Sequence, residues 1–94
     1  MSGVEKNILV LSRRDPVEAM RVAAGLTIFG HGVRLVFMGP KLTEEQMESE
    51  NAELLELCEI EPETTNPAMS EMLDLLEPAA LATAMAESDE VINI

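Results

Sequence analysis

Aromatic residues are nearly missing from this sequence: it has no tryptophan or tyrosine, and its two phenylalanines are Phe29 and Phe37. The core must therefore be aliphatic, with Met20, Met38, Met47, Met69, Met72 and Met85 as candidate gap fillers. Cysteine is scarce too. With Cys58 alone, an internal disulfide framework is excluded, as is any metal site built only from cysteines of one chain, and a reducing compartment fits. No apolar stretch approaches the ~20 residues of a membrane span, and Lys6 and Asn7 precede only four apolar residues, which is no secretory signal pattern. The chain reads as cytoplasmic. A glycine-rich phosphate loop is also missing, because Ser12-Arg13-Arg14-Asp15-Pro16 matches neither a G-x-G-x-x-G nor a Walker sequence.

Basic residues are absent from the second half of the chain. Residues 1–41 hold all six lysines and arginines against Glu5, Asp15 and Glu18, and sum to +3; residues 42–94 hold fifteen acidic residues and sum to −15, giving the net −12. An acidic surface of this kind repels phosphate backbones and anionic lipid, so nucleic acid and membrane are excluded as expected partners. A basic protein is the partner that such a surface fits, and a plain solubilising face is the simpler reading. Ninety-four residues make one domain with a modest core.

Residues 7–38 spell a β-α-β unit. Ile8-Leu9-Val10-Leu11 is a continuous apolar run, as in a strand covered on both faces. Asp15 is placed to cap a helix that Pro16 opens, and the helix should run to about Phe29. It is apolar over most of its circumference, with Glu18 and Arg21 as a favourable i,i+3 pair. A helix this apolar is usually covered on more than one side, which argues for a second subunit. Gly30-His31-Gly32 stops it, and Val33 to Met38 is the second strand, expected to be parallel to the first.

Thr43-Glu44-Glu45-Gln46 is a capping box that opens a second helix running from about Glu44 into the fifties. Leu57 to Glu61 either continues it or forms a short strand. Pro62 to Pro67 is a loop by composition. Within Met69 to Leu76, Met72-Leu73-Asp74-Leu75-Leu76 reads as a short strand, with a helical turn at Ser70 as the alternative. Pro78 fits the first position of an alanine-rich helix to Glu87, and Asp89 to Ile94 is a last strand. The order β-α-β-α-(β)-α-β implies a small, mostly parallel sheet of about four strands with helices on both faces.

In such sheets ligands bind beyond the carboxyl ends of the strands. That edge should hold Ser12, Arg13 and Arg14 after the first strand, and Gly39, Pro40 and Lys41 after the second. Arg13, Arg14 and Lys41 are candidate anion-binding residues, and solvated surface cations are the plainer reading. His31, the lone histidine, is expected to be structural. Cys58 is the one candidate thiol nucleophile. A reactive thiolate wants a nearby cation or helix N-terminus; the sequence supplies Glu56, Glu59 and Glu61 and a helix C-terminus instead. No metal or cofactor is expected.

Lys6 to Ser12, the apolar helix, and Gly30-His31-Gly32-Val33-Arg34-Leu35-Val36-Phe37-Met38 together resemble the opening of the DsrE/DsrF/DsrH-like (TusBCD-like) sulfur-relay family. Leu76 through Leu81 to Ser88-Asp89-Glu90-Val91-Ile92 looks like that family's last helix leading into an aspartate–x–valine strand. The resemblance spans most of the chain and rests on structural motifs. It implies a flavodoxin-like α/β fold and assembly into homo-oligomers or with related subunits. It also implies one of two roles. Some members carry sulfur as a persulfide on a single cysteine, which by position corresponds to Cys58, and would make the protein a sulfurtransferase. Others lack that cysteine and act as non-catalytic partner subunits, here docking a basic protein through the acidic half. The acidic flanks of Cys58 and the short middle of the chain depart from the family's pattern.

Overall fold

The computed structural model describes residues 5–94. Five parallel strands form one sheet in the order β4-β3-β2-β1-β5: β1 (Asn7–Ser12), β2 (Gly32–Phe37), β3 (Glu63–Thr64), β4 (Asp74–Leu75) and β5 (Glu90–Asn93). The helices are α1 (Pro16–Ile28), α2 (Glu44–Met47), α3 (Glu50–Leu57) and α4 (Pro78–Glu87), with a 3-10 turn at Pro67–Met69. This is the expected small flavodoxin-like α/β architecture, with one more strand than the sequence suggested. The chain adds strands outward from β1 to β4, then returns so that β5 pairs with the free side of β1. The order therefore reverses between β1 and β5.

Alternation along β1 builds the two halves of the core. Ile8 and Val10 join Leu35 and Phe37 under α1 and α3, while Leu9 and Leu11 join Val36, Leu76 and Ala84 on the face covered by α4. Both faces of a central parallel strand are apolar because both are covered. Only two of the proposed methionine fillers are fully in the core, Met20 and Met69; Met38 is half-buried, and Met47, Met72 and Met85 are exposed.

The caps are those the sequence spells. The Asp15 side chain accepts from the Glu18 N–H, and Pro16 opens α1. At its other end Gly30 adopts φ +93°, its N–H donates to Thr27 and the His31 N–H donates to Leu26. This is a Schellman closure, which needs the left-handed residue that glycine supplies. Arg21 binds Glu18 and holds its carboxyl below the usual range, on a surface where solvent screens the pair. His31 is structural here, as its Nδ1 accepts from the Lys6 N–H at 3.2 Å and ties the helix end to β1.

The second helix is two helices. The Thr43–Gln46 capping box is present, but α2 ends after one turn, and Ser49 starts α3 by accepting from the Ala52 N–H. Leu57 is the last residue of α3, and Cys58 to Glu61 is neither helix nor strand. Cys58 caps α3 and Glu59 takes a left-handed φ of 59°, while Glu59 N–H donates to Glu56 and Ile60 N–H to Leu55. This second Schellman closure lacks the usual glycine. The segment read as a loop at Pro62 to Pro67 contains β3. No helix among the described residues is long and apolar enough to cross a membrane.

Candidate functional site

Parallel strands bring the loops after β1 and β2 to the same edge of the sheet. The loop after β1 is fastened to β5: the Arg13 and Arg14 N–H groups both donate to the Ile94 main-chain oxygen, at 2.8 and 2.9 Å, and Arg13 Nε donates to Asn93 Oδ1 at 2.7 Å. The loop after β2 passes close over it. A Cβ on Gly39 would stand 3.0 Å from the Arg13 carbonyl oxygen, so this crossing uses the absent side chain. From the other side Asn66 Nδ2 donates to the Gly39 carbonyl at 3.2 Å.

The two loops enclose a cleft of about 100 Å³ lined by Ser12, Arg13, Arg14, Pro16, Phe37, Gly39, Pro40, Lys41, Leu42 and Gln46. The three proposed anion-binding residues, Arg13, Arg14 and Lys41, therefore share one cleft, and no Asp or Glu among the described residues lines it. Among the described residues the other three cations are paired: Lys6 with Glu90, Arg21 with Glu18, and Arg34 with Glu63. Sequence reading named Ser12 and the cations at this edge but missed Gln46, Pro16 and the Asn93 anchor. A polar residue at the end of the last strand was the available signal for Asn93.

Cys58 lies elsewhere. Helices α1 and α3 lie side by side and run the same way: Asn51 Nδ2 donates to the Val17 carbonyl and, further along, Cys58 Sγ faces the Ala24 carbonyl at 3.9 Å. Seven residues of helix separate those two levels, roughly 10 Å at 1.5 Å per residue. Cys58 thus sits toward the amino edge of the sheet, away from Arg13, Arg14 and Lys41. It is half-buried against the core beneath α1. At the ends of α1 and α3, Ile28 (71%), Phe29 (83%) and Leu57 (79%) are exposed.

The acidic half is exposed along α2, α3 and the turn that follows. Glu44, Glu45, Glu48, Glu50, Glu53, Glu56, Glu59 and Glu61 are all exposed, and none forms an ion pair among the described residues. No group of three His, Cys, Asp or Glu side chains among the described residues is arranged to hold a metal ion. Comparison with protein-family models, curated proteins and solved structures gives no match.

Proposed function

We propose that the chain is a DsrE-like sulfur-relay protein acting as a non-catalytic interaction subunit, which docks a basic protein through its acidic half. The observation that carries this reading is the exposed run of carboxylates from Glu44 to Glu61, without an ion pair among the described residues and with no cation nearer in sequence than Lys41. Such a surface steers a positively charged partner and sets binding that weakens as salt rises. The exposed Ile28, Phe29 and Leu57 at the ends of α1 and α3 support assembly with further copies or related subunits, which would cover them.

The test is co-purification of a bound basic protein with the tagged chain at rising ionic strength. Wild type is expected to release it as salt rises, and Glu53→Lys combined with Glu56→Lys to fail to retain it at low salt. Cys58→Ser is expected to change neither result. Salt-insensitive retention, or retention by the charge-reversed variant, would overturn the reading.

A second reading has its own observation: Cys58 is only half-buried and is a free thiol. In that reading the Cys58 sulfur bonds to the outer sulfur of a donor persulfide, the donor's S–S bond breaks, and the donor leaves as a thiol. The distance from the cationic edge and the surrounding glutamates favour the non-catalytic reading over it.

A further inference from the structure

We infer that the cleft at the carboxyl ends of β1 and β2 binds a small tetrahedral oxyanion of the phosphate or sulfate class. This inference is independent of docking by the acidic half.

The first ground is the distribution of charge pairs. The protein has eighteen carboxylates for six cations. Even so, the three cations without an ion pair among the described residues are Arg13, Arg14 and Lys41, all lining one cleft. The second ground is Ser12. Its residue is 3% exposed and lines the cleft on the side of β1 that faces α1, and its hydroxyl has no hydrogen-bond partner among the described residues. No fully buried side-chain polar atom among the described residues lacks a partner, so this hydroxyl is reached by solvent at the cleft, where it can donate to a ligand oxygen.

The other donors fit the same ligand. Gln46, at the cleft wall, uses its Oε1 to accept from the Thr43 N–H, and its amide NH₂ has no partner among the described residues. The Arg13 side chain is held by Asn93 through Nε, and its terminal nitrogens have no hydrogen-bond partner among the described residues. The N-terminus of α1 adds its dipole rather than donors, because Pro16 has no N–H and the Glu18 N–H is taken by Asp15. Asp15 is the nearest opposing charge in sequence, and it does not line the cleft.

Size selects the ligand within the anions. A cleft of about 100 Å³ is well below the ~300 Å³ lower end of sites that enclose drug-sized molecules, which excludes a nucleotide base and sugar from the enclosed space. Planar guanidinium forks and a hydroxyl suit the several oxygens of a tetrahedral oxyanion.

Calorimetric titration of the whole chain with inorganic phosphate, and separately with sulfate, in chloride buffer of matched ionic strength tests this. Saturable binding of one ion per chain is expected. Arg14→Gln and Lys41→Gln should each weaken it about tenfold, and Ser12→Ala roughly threefold, with circular dichroism and the urea midpoint confirming that each variant is folded. A phosphate monoester that binds at least as well as the free ion supports the same chemistry on an esterified group. The inference is overturned by absence of saturable heat with both ions, by binding that neither charge substitution weakens, or by a nucleotide that binds where inorganic phosphate does not.

Discussion

Leu35→Ala should lower stability by about 2–5 kcal/mol, a large part of what a domain of this length possesses. Leu35 is fully buried on β2, the middle strand of the five, opposite Val10 of β1 and beneath α1 and α3. Truncation removes the transfer free energy of the lost carbons and leaves a cavity that its neighbours only partly fill. Those neighbours are small or already packed: Ala19 and Ala23 have little to extend, and Met20 is 2% exposed. Leu35→Ile conserves volume and should cost less than about 1.5 kcal/mol. Urea unfolding is the measurement, with the midpoint falling and the slope unchanged. A loss below about 1 kcal/mol for Leu35→Ala would mean that this half of the core is not packed around β2.

Thr64→Val should cost about 1–3 kcal/mol although it hardly changes shape. Thr64 is fully buried in a strand of two residues. Its hydroxyl donates to the Phe37 carbonyl at 2.9 Å and accepts from the Asn66 N–H at 3.0 Å, doing for β3 what a longer ladder would do by backbone pairing. Valine leaves the Asn66 N–H without its acceptor. The Phe37 carbonyl keeps the Thr65 N–H at 3.1 Å, so the cost falls on the Asn66 side. Asn66 also holds the Gly39 carbonyl at the cleft, so the same substitution should weaken phosphate binding, while Thr64→Ser should restore both. Unchanged stability in Thr64→Val would show that β3 is held by other contacts.

How far the sequence speaks for itself differs sharply along the chain. The opening β-α-β unit was legible because its signals are local and redundant: a continuous apolar run, Asp15 before Pro16, and Gly30 at the left-handed position. The break between α2 and α3 was legible only in hindsight from Ser49, since Thr43 already offered a cap and the apolar spacing runs on through Met47 to Leu54. Strand β3 was hidden because Pro62 and Pro67 give its surroundings a loop composition, and its pairing with β2 and β4 is only two residues long, too short to leave a periodic pattern. Glu59 concealed a helix end because its left-handed conformation is usually glycine's. The cationic edge could be read from strand order alone. That its three cations are the unpaired ones depends on where Glu18, Glu63 and Glu90 fall in space, which no spacing rule states.

The role of Cys58 decides between the two functional readings. Its place is that of a helix cap: half-buried, facing the Ala24 carbonyl, and on the far side of the sheet edge from Arg13, Arg14 and Lys41. The direct measurement is intact-mass spectrometry of the folded chain over time after mixing with a persulfide donor, beside a small free thiol and the Cys58→Ser variant. The non-catalytic account predicts that any added sulfur atom appears on Cys58 no faster than on the free thiol. A sulfur adduct that forms faster on the folded chain, depends on Cys58 and passes on to an acceptor thiol would contradict it.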